Sequence, residues 1–97
     1  MPAYFIGRVT VHDEKVYQKY LEGFGPAFTP FGGKVLVATT AAELIEGSWP
    51  KCRTVVLEFP SMETAHAWHA SPAYQELVKI RHANATSDFV LAPGYGS

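Results

Sequence analysis

The chain carries a single cysteine, Cys52, in 97 residues. An internal disulfide is excluded, as is a metal site built on paired thiols, and a reducing compartment is the expectation. No stretch reaches the ~18 consecutive apolar residues of a membrane-spanning helix. The start, MPAYFIGRV, lacks the charged and long apolar regions of a signal peptide. A soluble, cytoplasmic protein without membrane association is therefore expected. No charge sign dominates either: 8 basic and 9 acidic residues give a net charge of −1. Scattered singly, they offer no positive face to a phosphate backbone, so nucleic acid is not an expected partner. Phosphate-binding loops, HExxH spacing, internal repeats, linkers and, apart from the small tail APGYGS, low-complexity tracts are absent. No reaction is named by a motif, no cofactor is implied, and residues 1–97 read as one domain.

Apolar residues make up 47% of the chain and aromatic ones 13%, generous for this length, which leaves some for a partner. Residues 4–11 alternate as a strand, with Phe5, Val9 and Val11 on one face and Tyr4, Ile6, Arg8 and Thr10 on the other. Asp13 caps a helix whose Val16, Tyr17, Tyr20, Leu21 and Phe24 form one apolar stripe. Gly23, Gly25 and Pro26 are expected to weaken or kink that helix before residues 27–31. Gly32 and Gly33 make a turn into a second strand over residues 34–39. Residues 41–47 are ambiguous, and 47–53, with Pro50, read as a loop.

A third strand, residues 54–59, ends at Pro60, which has no amide proton for a ladder. Ser61 caps a helix over 61–70, and Ser71-Pro72 repeats the punctuation for another over 72–84. Residues 88–91 are a last short strand. The order βαββαβ predicts an α+β, ferredoxin-like domain: a four-stranded antiparallel sheet with helices on one face. Its other face would expose Ile6, Leu36 and Val56, so a homodimer through the open sheet face is expected.

Tyr17 with Tyr20, Phe28 and the Gly32-Gly33 turn, Glu46-Gly47 with Trp49, Glu58-Phe59-Pro60-Ser61, Ala67-Trp68, Ser71-Pro72 with Tyr74, and Arg81 form a pattern running nearly end to end. In it the chain resembles the bacterial family called domain of unknown function 1330, a branch of the dimeric α/β-barrel superfamily. The resemblance implies a ferredoxin-like protomer and a dimer, but no mechanism, since the family has no settled activity. Relatives in the wider superfamily include cofactor-independent monooxygenases, haem-degrading enzymes, isomerases and small-molecule-sensing domains, and fold alone does not choose among them.

The candidate site residues are inward or polar ones. Arg81 shares a helical stripe with Tyr74, Leu77 and Val78, which places a permanent cation on a packed face. Either it forms a salt bridge to Glu46, Asp88 or Glu58, or it clamps a substrate carboxylate. Arg8 and Glu58 share the side of the sheet away from Phe5 and would pair there, structurally or with Glu58 as a general base. His69 lies with Met62, Ala65 and Trp68; it is either a partly buried residue bonded to backbone or a proton shuttle. His66 and His69 lack the third ligand of a metal site, so none is assigned. His12 and His82 read as surface residues. Trp49, Trp68, Tyr17, Tyr20 and Tyr74 are expected to fill the helix–sheet gap, as core or as the walls of a pocket for a flat organic ligand. Cys52 has no paired histidine, and no histidine is marked for haem.

Two function classes fit. One is a cofactor-independent enzyme on a small aromatic or enolisable metabolite, with His69 or Glu58 as acid or base and Arg81, Arg8, Tyr17, Tyr20, Trp68 and Tyr74 binding substrate. The other is a non-catalytic dimeric module that binds a small ligand or a protein.

Overall fold

Period-two alternation governs the strand that organises the molecule. In β1, Ala3–Val11, residues 3, 5, 7 and 9 are buried beneath helices while Ile6 and Thr10 face away. The computed structural model describes residues 1–96 and continues with α1 (Glu14–Phe28), a 3-10 turn (Thr29–Phe31), β2 (Lys34–Thr39), β3 (Arg53–Phe59), α2 (Met62–Ala70), α3 (Pro72–Asn84) and β4 (Ala85–Pro93). The sheet order is β2-β3-β1-β4, and its pairings are antiparallel. This is the ferredoxin-like fold, its second helix divided in two at Ser71. Among the described residues no helix is long and apolar enough to cross a membrane.

The helix signals act as side chains. The Asp13 carboxylate accepts from the Val16 amide at 3.2 Å, and the Ser61 hydroxyl from Thr64 at 3.0 Å. Ser71 donates to the Trp68 carbonyl at 2.7 Å and accepts from the Tyr74 amide at 3.3 Å, so one hydroxyl closes α2 and opens α3. Gly32 takes φ 74° in the turn before β2, a conformation cheap only without a Cβ.

Gly23, Gly25 and Pro26, expected to weaken or kink α1, do not end it: the helix runs to Phe28. Gly23 serves as a contact instead, because a Cβ there would lie 2.7 Å from Leu77 Cδ1 of α3. β4 spans nine residues where four were expected, since ladder pairing with all of β1, from Val11–Ala85 to Ala3–Pro93, outweighs the weak strand propensity of Ala85-Thr86-Ser87. Arg8 and Glu58 do not pair. The register sets Glu58 opposite Tyr4, whose hydroxyl donates to it at 3.0 Å, and sets Arg8 opposite Thr54 and Asp88, with Asp88 accepting at 3.3 Å. Residues 40–52 form no helix or strand.

Under the helices, Phe5, Phe28, Phe59, Trp68 and Tyr74 pack ring to ring, Trp68 and Tyr74 at 4.1 Å between centroids. The opposite face is uncovered. Val90, Ile6, Val56 and Val37 form one cross-strand row there, with Ile6 41% and Val90 62% exposed. The rows on either side are more polar: Ala92, Tyr4, Glu58 and Lys34 on one, Asp88, Arg8, Thr54 and Thr39 on the other.

Candidate functional site

Helices lie over the inner strands but not over β2, whose first five residues are exposed on both faces. This leaves a cavity of about 120 Å³ between sheet and helices. Its walls are largely aromatic and aliphatic, from Phe5, Tyr20, Phe24, Leu57 and Trp68 among others. The polar side chains among its lining residues are Arg53, His69, Arg81 and the tyrosines Tyr17, Tyr20 and Tyr74, with the Trp68 indole.

Register places the two cations. Arg53 of β3 and Ser87 of β4 both stand opposite Val9, one on each side of β1, about 10 Å apart at ordinary strand spacing. Arg81 reaches that level from α3, donating from Nη1 to the Ser87 hydroxyl. Its guanidinium lies 4.9 Å from the Phe89 ring centroid and 5.8 Å from that of Tyr20, and Arg53 lies 5.7 Å from that of Tyr17. Arg81 is only 6% exposed. The salt bridge expected to Glu46, Asp88 or Glu58 is not formed: Asp88 is taken by Arg8 on the other face, and Glu58 by Tyr4. Hydroxyl and π contacts take the place of a carboxylate.

His69 marks the other end of the cavity. Its ring lies nearly parallel to that of Phe5, with centroids 5.9 Å apart, and 5.8 Å from Tyr74. Phe5 is four residues from Val9, about 13 Å along the strand. His69 sits at the mouth, more exposed than its helical position suggested. Its pKa is pushed below the ordinary 6.5, first by partial burial and then by the charges of Arg81, His82 and His66. The imidazole is accordingly neutral near pH 7 and free to accept a proton.

Between these ends Tyr17 and Tyr20 are held as neutral phenols. Tyr20 and Tyr74 share a buried hydrogen bond of 2.7 Å, and burial above all raises the Tyr20 pKa. Burial also raises that of Tyr17, against a lowering pull from Arg53 and Arg81. Three buried side-chain atoms lack a hydrogen-bond partner among the described residues: Arg53 Nε, Arg81 Nε and Trp68 Nε1. All three are donors, and all three residues line the cavity.

The structure thus brings together Arg81, His69, Trp68, Tyr17, Tyr20 and Tyr74. It sets Arg8 and Glu58 apart, on the open sheet face. Trp49, expected in the helix–sheet gap, lies outside it, 47% exposed, 5.7 Å from the Arg8 guanidinium and donating to Thr54 at 3.4 Å. Arg53 is the cavity residue that sequence reading missed. Its signal was parity: Arg53, Val55, Leu57 and Phe59 share one face, but the strand was read as starting one residue later. Among the described residues no group of three or more His, Cys, Asp or Glu side chains is placed to hold a metal ion.

A family model described as "Domain of unknown function (DUF1330)" matches residues 2–95. No curated protein matches the chain. Among solved structures, a protein of unknown function from Rhodopseudomonas palustris is similar with a TM-score of 0.81 at 21% identity, covering 99% of this chain and 84% of that one. SnoaB, a cofactor-independent oxygenase from Streptomyces nogalater, is similar with a TM-score of 0.61 at 16% identity over 99% and 95% of the two chains. A dimeric ferredoxin-like protein of unknown function from Thermobifida fusca aligns with a TM-score of 0.62 at 15% identity over 96% and 92%. At these identities the likeness is one of fold.

Proposed function

The chain belongs to the family of domains of unknown function DUF1330, and on that premise we propose that the helix–sheet cavity is the site of a cofactor-independent enzyme acting on a small aromatic or enolisable metabolite. The observation that carries this reading is one cavity reached from opposite ends by a neutral imidazole and a buried guanidinium. His69 takes a proton from the substrate carbon. The electron pair left behind delocalises through the conjugated body onto an oxygen at its far end, and Arg81 steadies the charge that develops there. Trp68, Tyr20 and Tyr74 wall the pocket and hold the ring. A cofactor-independent oxygenase of the same fold supports the reading at the level of architecture.

The alternative is a non-catalytic binding module, favoured by one observation: the Tyr20 and Tyr74 hydroxyls satisfy each other. Exchange of acidic C–H for deuterium in one-ring aromatic ketones, followed by NMR in D₂O, separates the two. Catalysed exchange that is lost in His69→Gln and in Ala38→Trp, which adds bulk at an exposed β2 residue lining the cavity, supports the enzyme; binding without exchange supports the module, and neither binding nor exchange removes the site altogether.

A second copy of the chain covers the open sheet face in this proposal. The Val90–Ile6–Val56–Val37 row is apolar and uncovered, and the Thermobifida fusca neighbour is described as dimeric.

A further inference from the structure

We infer that the cavity takes an organic anion, an aromatic carboxylate whose charged group lies over Val9 between Arg53 and Arg81; this rests on the cavity being a small-molecule site. Two guanidiniums approach one level of the sheet from the two sides of β1, Arg53 directly and Arg81 through Ser87. Both keep a buried Nε–H without an acceptor, and Trp68, whose ring centroid lies 6.2 Å from that of His69, adds a third unmatched donor. No aspartate or glutamate lines the cavity among the described residues. Among the described residues neither arginine is in a salt bridge: the ion pairs formed there are Arg8–Asp88 and Lys79–Glu76, both at the surface.

A buried guanidinium without a counter-charge is unfavourable, and a planar carboxylate offers two acceptors in the geometry that a guanidinium fork matches. The rest of the lining is apolar and ring-rich, which selects a flat apolar body behind the charged head. Size agrees: the volume, about 120 Å³, approaches that of an engineered apolar cavity of ~150 Å³ that binds benzene. One ring is therefore the upper limit of size. An amine of the same shape would meet two cations and no acceptor charge.

The test uses three one-ring probes on the whole chain at neutral pH: benzoate, benzamide and benzylamine. Affinity is read by titration calorimetry, and entry into the cavity by the shift of the Trp68 indole N–H resonance. Benzoate is expected to bind about tenfold or more tightly than benzamide, with benzylamine weakest, as charge-assisted donors imply. Arg53→Gln, at a half-buried position, is expected to weaken benzoate about tenfold and leave benzamide unchanged. Arg81→Lys keeps the buried charge but loses the fork, and is expected to weaken benzoate alone. Equal binding of benzoate and benzamide would overturn the inference while leaving the cavity a small-molecule site. If no probe shifts the Trp68 resonance, the inference and the reading of the cavity fall together.

Discussion

His69 holds a position that only a neutral ring satisfies fully. Its folded-state pKa lies below 6.5, so the unfolded chain binds a proton more readily than the folded one. The stabilisation is complete above about pH 6.5, declines as pH falls through the folded-state value, and changes no further below it. Urea midpoints measured across that window are expected to fall with pH in the parent protein and to fall less steeply in His69→Gln; equal slopes would contradict this. At the same scale, the inward tyrosines and Arg81 were legible because helical spacing alone fixes which residues share a stripe. What Arg81 touches was not legible. Its contacts with Ser87 and Phe89 depend on β4 running past α3, which spacing along one helix does not encode.

Ser71 joins two helices through one hydroxyl, and with them the two rings that stack most closely, Trp68 and Tyr74. Ser71→Ala removes a cap and leaves the Tyr74 amide without its acceptor. A loss of about 1 kcal/mol is expected from the cap, read by chemical denaturation. A further change in near-ultraviolet circular dichroism is expected as the Trp68–Tyr74 stack loosens, and its absence would mean the rings are held by packing alone. Elements with strong local punctuation, such as Ser61 before α2 and Ser71-Pro72 before α3, were readable to within a residue. β4 was not, because Ala85-Thr86-Ser87 become strand only by finding β1 beside them. The same limit explains Arg53, whose strand assignment begins where Val9 pairs with it.

The whole molecule is two-sided, with a ring-packed helical side and a bare sheet. On the bare side the apolar row lies between two more polar rows, an arrangement suited to a self-complementary contact about a twofold axis. The expected outcome for Ile6→Lys, at the centre of that row, is a shift in sedimentation from twice the chain mass to a single chain without loss of helical circular dichroism. A parent protein that already sediments as one chain at micromolar concentration would rule out this interface. The antiparallel order of the sheet was legible from element sequence alone, whereas the row itself was not, since it required the exact pairing of Val90, Ile6, Val56 and Val37.

β2 is the outer strand on one side, apolar and exposed, the kind of edge onto which another chain adds. Its register shifts between Val35 and Val37, leaving Leu36 without a partner in β3. Such an extra residue bends the strand and breaks the even spacing of its outward amides and carbonyls. A fifth strand laid against β2 would therefore lose register after a few bonds. Leu36 thus sets an irregularity into a border of the sheet where strand addition would otherwise meet an even row of donors and acceptors.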